Sequence, residues 1–215
     1  MKEKIFYLNS VSKNKLFKPI RERKDIITVL LESIRLIMYG INVPPEKSCG
    51  KIVLHIGKTS RFIYISEGKY FSINFPFFID YPDGCFIYNK NGVEIDSKII
   101  SKIIELISDK NIFNTKSFSS FFDAFEDIYE EKDVWDCFFN LLTFEEGYTR
   151  FDNDTRHIEL NHPQYHIDLF YEEHNKIKFG LNSNINDISF YRLLVNDDFY
   201  FLNKINNPDQ EPPHA

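Results

Sequence analysis

Apolar residues recur at Ile27, Leu30, Leu31, Ile34 and Met38. That is the i, i+3, i+4, i+7, i+11 spacing of one helix face, and it predicts a first helix over 21–39. Gly40 is a natural stop, and Pro44 and Pro45 prevent resumption. The period then shortens to two. Residues 51–57 predict a strand, and 61–65 with 69–73 predict a hairpin turning at Ser66, Glu67 and Gly68. Phe75, Pro76, Phe77 and Phe78 are apolar but broken by proline, so they read as an edge or a loop. A further short strand is expected over 85–88, between turns at 82–84 and 91–92.

Helical spacing returns at Asp96, an N-cap for 97–108, where Ile99, Ile100, Ile103, Ile104 and Ile107 are apolar. Residues 118–131 and 132–144 predict one interrupted helix or two consecutive ones. Their polar side carries Asp123, Glu126, Asp127, Glu130, Glu131, Asp133 and Asp136, the pattern of a solvated helix face. After Gly147 alternation resumes in 148–151, 158–160, 165–171 and 176–181, a predicted meander. A last helix is expected over about 187–203. The tail 206–215 has three prolines and no sizeable apolar side chain, and is expected to be disordered. These elements describe an α+β fold, with antiparallel sheet and helices packed on one side. No internal repeat or long linker is evident, so one domain is expected over 1–205.

Composition sharpens this picture. A chain of 215 residues suits one large domain or two small ones. With 43% hydrophobic and 16% aromatic residues, it can bury a substantial core. That core is packed largely with phenyl rings, from 22 Phe and 12 Tyr against one Trp. Abundant Ile, Lys, Asn and Phe are what an AT-rich bacterial or phage genome encodes. The net charge of −6 argues against a dedicated duplex-DNA binder, because phosphate binding is led by positive charge. The charge is uneven, however. Residues 1–25 hold eight Lys/Arg against three acids. The basic arm 13–24 could touch nucleic-acid phosphates or an acidic partner, but a solvated segment entering a helix is the favoured reading. Cys49, Cys85 and Cys137 form no CxxC pair, which indicates neither a disulfide framework nor a zinc ribbon, and cytoplasmic residence fits. No apolar stretch approaches a membrane span, and the N-terminus contains no secretory h-region.

Residues 148–181 concentrate the candidate chemistry. They hold His157, His162, His166 and His174, with Asp152, Asp154 and Asp168 and with Arg150 and Arg156. Residues i and i+2 of a strand share a face, so His166 and Asp168 point together while Tyr165, Ile167 and Leu169 point into the core. Asp152 and Asp154 could share a face likewise. A turn through 157–163 could bring Asp152 beside His166 across the ladder. Pro163 holds His162 extended at the strand entrance. Two imidazoles with carboxylates are a ligand set for Zn²⁺, Mn²⁺ or Fe²⁺, and such a metal could activate water. Without a metal, a His–Asp pair could perform acid–base work, with Arg150 and Arg156 clamping a phosphate. The spacing matches no zinc signature, and the same residues could be the solvent face of a hairpin. His162, His166, Asp168 and Asp152 are the candidate catalytic set. His157 and His174 read as turn residues.

Other motifs carry less. His55 lies in an apolar strand and reads as a satisfied sheet residue. Gly57, Lys58 and Thr59 resemble the end of a P-loop, but the first glycine is missing and a strand follows. There is no GxSxG elbow. Cys137, beside Trp135, Phe138 and Phe139, reads as a buried small hydrophobe. Arg150–Phe–Asp152 followed by His162–Pro163–x–x–His166 resembles an uncharacterised family of small bacterial proteins with a C-terminal R-[FY]-D…HPxxH core. The likeness covers about residues 148–202. Lys178 stands where the next strand would carry arginine, which weakens the phosphate clamp. Families of this kind often lie in mobile or phage-defence gene clusters. The resemblance therefore implies a nucleic-acid-directed or toxin-like activity, or an accessory subunit. Two readings stand open: a defence-associated accessory or interaction protein that acts with a protein partner or as a homo-oligomer, and a metal- or His-assisted hydrolase or nuclease. In the second, Arg150, Arg156 and Lys178 would hold substrate and a divalent metal would be the cofactor.

Overall fold

The computed structural model describes residues 2–80, 85–109, 131–156, 162–171 and 177–195. The chain is α+β and divides into two compact units. The first comprises Met1–Lys13, Val43–Asn74 and Gly147–Ala215; the second comprises Asn14–Asn42 and Phe75–Glu146. The predicted segments 118–130, 158–160 and 196–203 and the tail 206–215 lie outside the described residues, as do His157, His174 and His214.

The first unit is built on one antiparallel sheet. Its strands are β1 (Lys2–Leu8), β2 (Gly50–Ile56), β3 (Arg61–Ser66), β4 (Lys69–Asn74), β7 (Thr149–Asn153), β8 (Tyr165–Leu169) and β9 (Ile177–Leu181), paired in that order. Two meanders thus meet at β4 and β7, where Lys69 faces Asp152 and Phe71 faces Arg150. Strand alternation gives the sheet two distinct faces. On one, Val53, Ile63, Ile65, Phe151 and Ile167 pack against Phe190 of a helix, Asp187–Val195. Tyr70 stacks on Phe151 at 5.3 Å and meets Phe190 at 5.8 Å. Each fully buried ring or branched chain contributes roughly 1.5–3 kcal/mol. The other face is aliphatic and aromatic over β1–β4, with Phe6, Ile52, Leu54, Phe62, Tyr64 and Phe71 buried and Tyr64 stacked on Phe71 at 4.3 Å. Over β7–β9 that same face turns ionic.

The helix at 187–195 is fastened at its N-terminus and at its middle. Asn186 Oδ1 accepts from the Ser189 N–H at 2.8 Å, and Asp187 pairs with Lys51 at 2.8 Å. Tyr191 donates its hydroxyl proton to Glu3 and accepts from His55 Nδ1 at 2.8 Å. His55 is therefore the satisfied sheet residue its strand context suggests. Sequence reading missed β1, an edge strand whose alternation is masked by Lys2, Glu3 and Lys4. It also missed a short helix, Ser10–Leu16, where Asn9 Oδ1 caps the Ser12 N–H.

The second unit holds α2 (Arg23–Met38), with α1 the Ser10–Leu16 helix, then a small pair β5 (Phe78–Asp80) and β6 (Phe86–Tyr88), α3 (Ser97–Ser108) and α4 (Lys132–Thr143); α5 is the Asp187–Val195 helix. The α3 N-cap is the one predicted: Asp96 Oδ1 accepts from the Ile99 N–H at 2.7 Å. α2 starts two residues later than the periodicity suggests, because Asp25 Oδ2 turns back to accept the N–H groups of Arg21 and Glu22. Part of the basic arm is consumed internally. Arg23 bonds Glu146 at 2.8 Å and the Phe144 carbonyl at 3.1 Å, and Lys15 lies 3.8 Å from Glu32. Glu131 of the acidic side is engaged by Lys98 and Lys102. Cys137 is buried against the Asn89 amide, and burial pushes its thiol up to about 12. No helix among the described residues is long and apolar enough to cross a membrane.

Two measurements test these assignments. Asp96→Ala removes an N-cap and should cost about 1 kcal/mol in urea unfolding. Burial holds the His55 pKa below its ordinary 6.5. The unfolded chain therefore binds the proton more readily, and this contribution to stability is full above pH 6.5 and lost as pH falls through it. Between pH 7.5 and 5.5 the wild-type urea midpoint should fall further than that of His55→Gln.

Candidate metal centre

The ionic half of the sheet is assembled by register. Asp152 sits opposite His166, and Arg150 sits opposite Asp168, which in turn faces Lys178. Lys69 faces Asp152 from β4. One face of four adjacent strands thus carries Lys69, Arg150, Asp152, His166, Asp168 and Lys178. His166 and Asp168 are each only 1% exposed. This is not the solvent face of a hairpin, which was one of the open readings.

Arg150 makes the burial tolerable. Its Nη2 lies 2.5 Å from Asp168 Oδ2, and its Nε lies 2.7 Å from Asp152 Oδ2. One guanidinium bridges both carboxylates, the geometry for which arginine is suited. Burial alone would disfavour the guanidinium charge, but Tyr148, Asp152 and Asp168 together outweigh it and raise the Arg150 pKa. Tyr148, just before β7, also bonds Arg150. Burial pushes its hydroxyl up to about 12, against the lowering effect of the guanidinium. Lys69 is shifted down, first by burial and then by Arg150.

His166 is set by a local turn. Its Nδ1 lies 2.9 Å from the Pro163 carbonyl. A carbonyl only accepts, so Nδ1 carries the proton and donates. Glycine at 180, opposite His166, makes room for this turn: a Cβ there would come within 2.8 Å of Pro163 Cγ. The ring's other nitrogen, Nε2, then faces two carboxylates, 3.8 Å from Asp152 Oδ2 and 3.8 Å from Asp168 Oδ1. That Asp168 oxygen is buried and accepts no hydrogen bond among the described residues. One donor atom from each of Asp152, His166 and Asp168 lies within 4.8 Å of the other two. Ligands at ~2.1 Å from a tetrahedral ion stand about 3.4 Å apart, so the donor atoms, now up to 4.8 Å apart, would have to draw together to hold one. The backbone carbonyl on Nδ1 is the support a ligating histidine ordinarily has.

The sequence-predicted residues divide accordingly. Asp152, His166, Asp168, Arg150 and Lys178 converge. His162 stands beside them, its ring 4.9 Å from that of His166 in a T-shaped contact, but its carboxylate neighbour is Asp154, at 3.4 Å. Arg156 is exposed beyond the ladder, with its backbone N–H on Asp154 Oδ1 at 2.9 Å. Arg150 is engaged by both aspartates. Lys69 and Tyr148 were not foreseen as members of the cluster. The one sequence cue to Lys69 is its place at the start of a predicted strand after Gly68, and nothing local pairs that strand with β7.

Removing one partner of a buried pair strands the other charge. Arg150→Met should therefore destabilise the protein by about 3–5 kcal/mol in urea unfolding. Adding Asp168→Asn should recover part of that loss, giving a non-additive double-mutant cycle. The chain matches no known family model, no curated protein and no solved structure.

Proposed function

We propose that Asp152, His166 and Asp168 hold a divalent metal ion and that the protein is a metal-assisted hydrolase. One observation carries this reading: Nε2 of His166, the ring nitrogen not bonded to the Pro163 carbonyl, faces two carboxylate oxygens at 3.8 Å in a buried setting. Three negative ends of dipoles and charges converge there, and a cation between them would be stabilised by all three. Three protein donors leave coordination positions for water, as in catalytic rather than structural sites. Such a metal lowers the pKa of its water and supplies a nucleophile near neutrality. The buried floor has a partly open rim: the side chains of Asp152, His162 and Lys178 are 22%, 30% and 32% exposed. A second reading, an interaction protein, draws on Val11, Phe78, Phe139 and Ile188, large apolar side chains about half or more exposed.

Titration of metal-stripped protein with Mn²⁺ and Zn²⁺ by calorimetry separates the two. The expected result is one equivalent bound, with affinity at least tenfold weaker in Asp168→Asn and His166→Ala. No binding by folded wild-type protein at millimolar metal would sink the hydrolase reading and favour the interaction protein.

A further inference from the structure

We infer that this centre takes a phosphate ester, held between Lys69 and Lys178; the inference rests on the metal reading above. The argument is one of charge and placement. Arg150 is already bound by both carboxylates. The remaining cations lie at the two ends of the cluster. Lys178 Nζ is 3.7 Å from Asp168 Oδ1, on β9. Lys69 faces Asp152 from β4, and its Nζ lies on the same face, 5.9 Å from the Phe71 ring. Three strand spacings separate β4 from β9 in the order β4-β7-β8-β9, about 14 Å between backbones. Two lysine side chains, each reaching ~6 Å, can bracket one tetrahedral anion over the Asp–His–Asp trio.

Charge selects the substrate class. Three basic side chains, Arg150, Lys178 and Lys69, stand against two carboxylates, and a divalent ion would add two further positive charges. A neutral carboxylic ester or amide would leave that excess uncompensated in a largely buried site, which is costly. A phosphate ester brings one or two negative charges and oxygens for both the metal and the lysines. Its hydrolysis is balanced with water alone. The water oxygen bonds to phosphorus, the ester oxygen leaves with the electron pair of the broken P–O bond, and it takes up a proton while the attacking water gives one to solvent.

The full chain loaded with Mn²⁺ provides two readouts. In the first, inorganic phosphate is the probe, and its ³¹P signal is broadened when it binds beside the ion. Lys178→Ala should weaken phosphate binding at least tenfold while leaving Mn²⁺ affinity within about threefold, and Lys178→Arg should restore it. Lys69→Met should act in the same direction. In the second, p-nitrophenyl phosphate, bis(p-nitrophenyl) phosphate and p-nitrophenyl acetate are compared. Cleavage of the first alone assigns a monoester, and cleavage of the second assigns a diester. Phosphate binding unchanged in Lys178→Ala, or cleavage of the acetate alone, overturns the phosphate assignment with the metal reading intact. Failure to bind Mn²⁺ removes both.

Discussion

Four residue pairs hold the two meanders in one sheet: Lys69–Asp152, Tyr70–Phe151, Phe71–Arg150 and Ser72–Thr149. The strands they join are separated by the whole Phe75–Glu146 segment. Closing so long a loop costs chain entropy, though the cost grows only slowly with length. It is offset on both faces at once. Tyr70 stacks on Phe151 on one side, while Lys69 and Phe71 meet Asp152 and Arg150 on the other. The junction is also locked at its end. Gly147, at φ +51°, runs so close to Asn74 that a side chain there would collide with the amide, and the Arg61 guanidinium donates to the Gly147 carbonyl. Lys69 joins the candidate centre through this register, while the β7–β8 ladder sets Asp152 and Arg150 beside His166 and Asp168.

The second constraint is electrostatic. A sheet face that changes from Phe, Tyr and Ile over β1–β4 to Arg, Asp and His over β7–β8 must satisfy those charges internally, since water does not reach Asp168. A single lysine in place of Arg150 would offer a point charge to one carboxylate at a time. The guanidinium reaches both through different nitrogens and keeps them side by side. Such pairs rarely add net stability over an apolar core. A structure without a use for the charges would have little reason to bury them, and perturbed, buried ionisable groups are enriched at functional sites.

Much of this was legible from periodicity. The β3–β4 hairpin, the Asp96 cap, the α4 helix and the pairing of Asp152 with His166 all depend on short-range spacing or on a turn between neighbouring strands. The contact of His162 with Asp154 is also short-range, but alternation alone does not say which aspartate a histidine at the strand entrance meets. Two things were hidden for a physical reason. Lys69 belongs to the cluster only through the β4–β7 ladder, and strand alternation specifies a face without naming the neighbour. The burial of His166 and Asp168 was hidden because polar residues at every second position look the same whether that face meets water or meets other charges.

That burial decides how the His166 environment should be understood. If Nε2 also carried a proton, the imidazolium would sit 3.8 Å from two oxygens, too long for either hydrogen bond. Asp168 Oδ1, which accepts no hydrogen bond among the described residues, would then gain a Coulomb contact without a hydrogen bond. An ion of ~2 Å coordination distance, if bound there, would be held by Asp152, His166 and Asp168 together. The separation is wide for a hydrogen bond, and the proposed ion would have to draw the three donors together. Under the proposed reading Lys69 and Lys178 stand at the two ends of the cluster, while Arg150 pairs with both carboxylates between them.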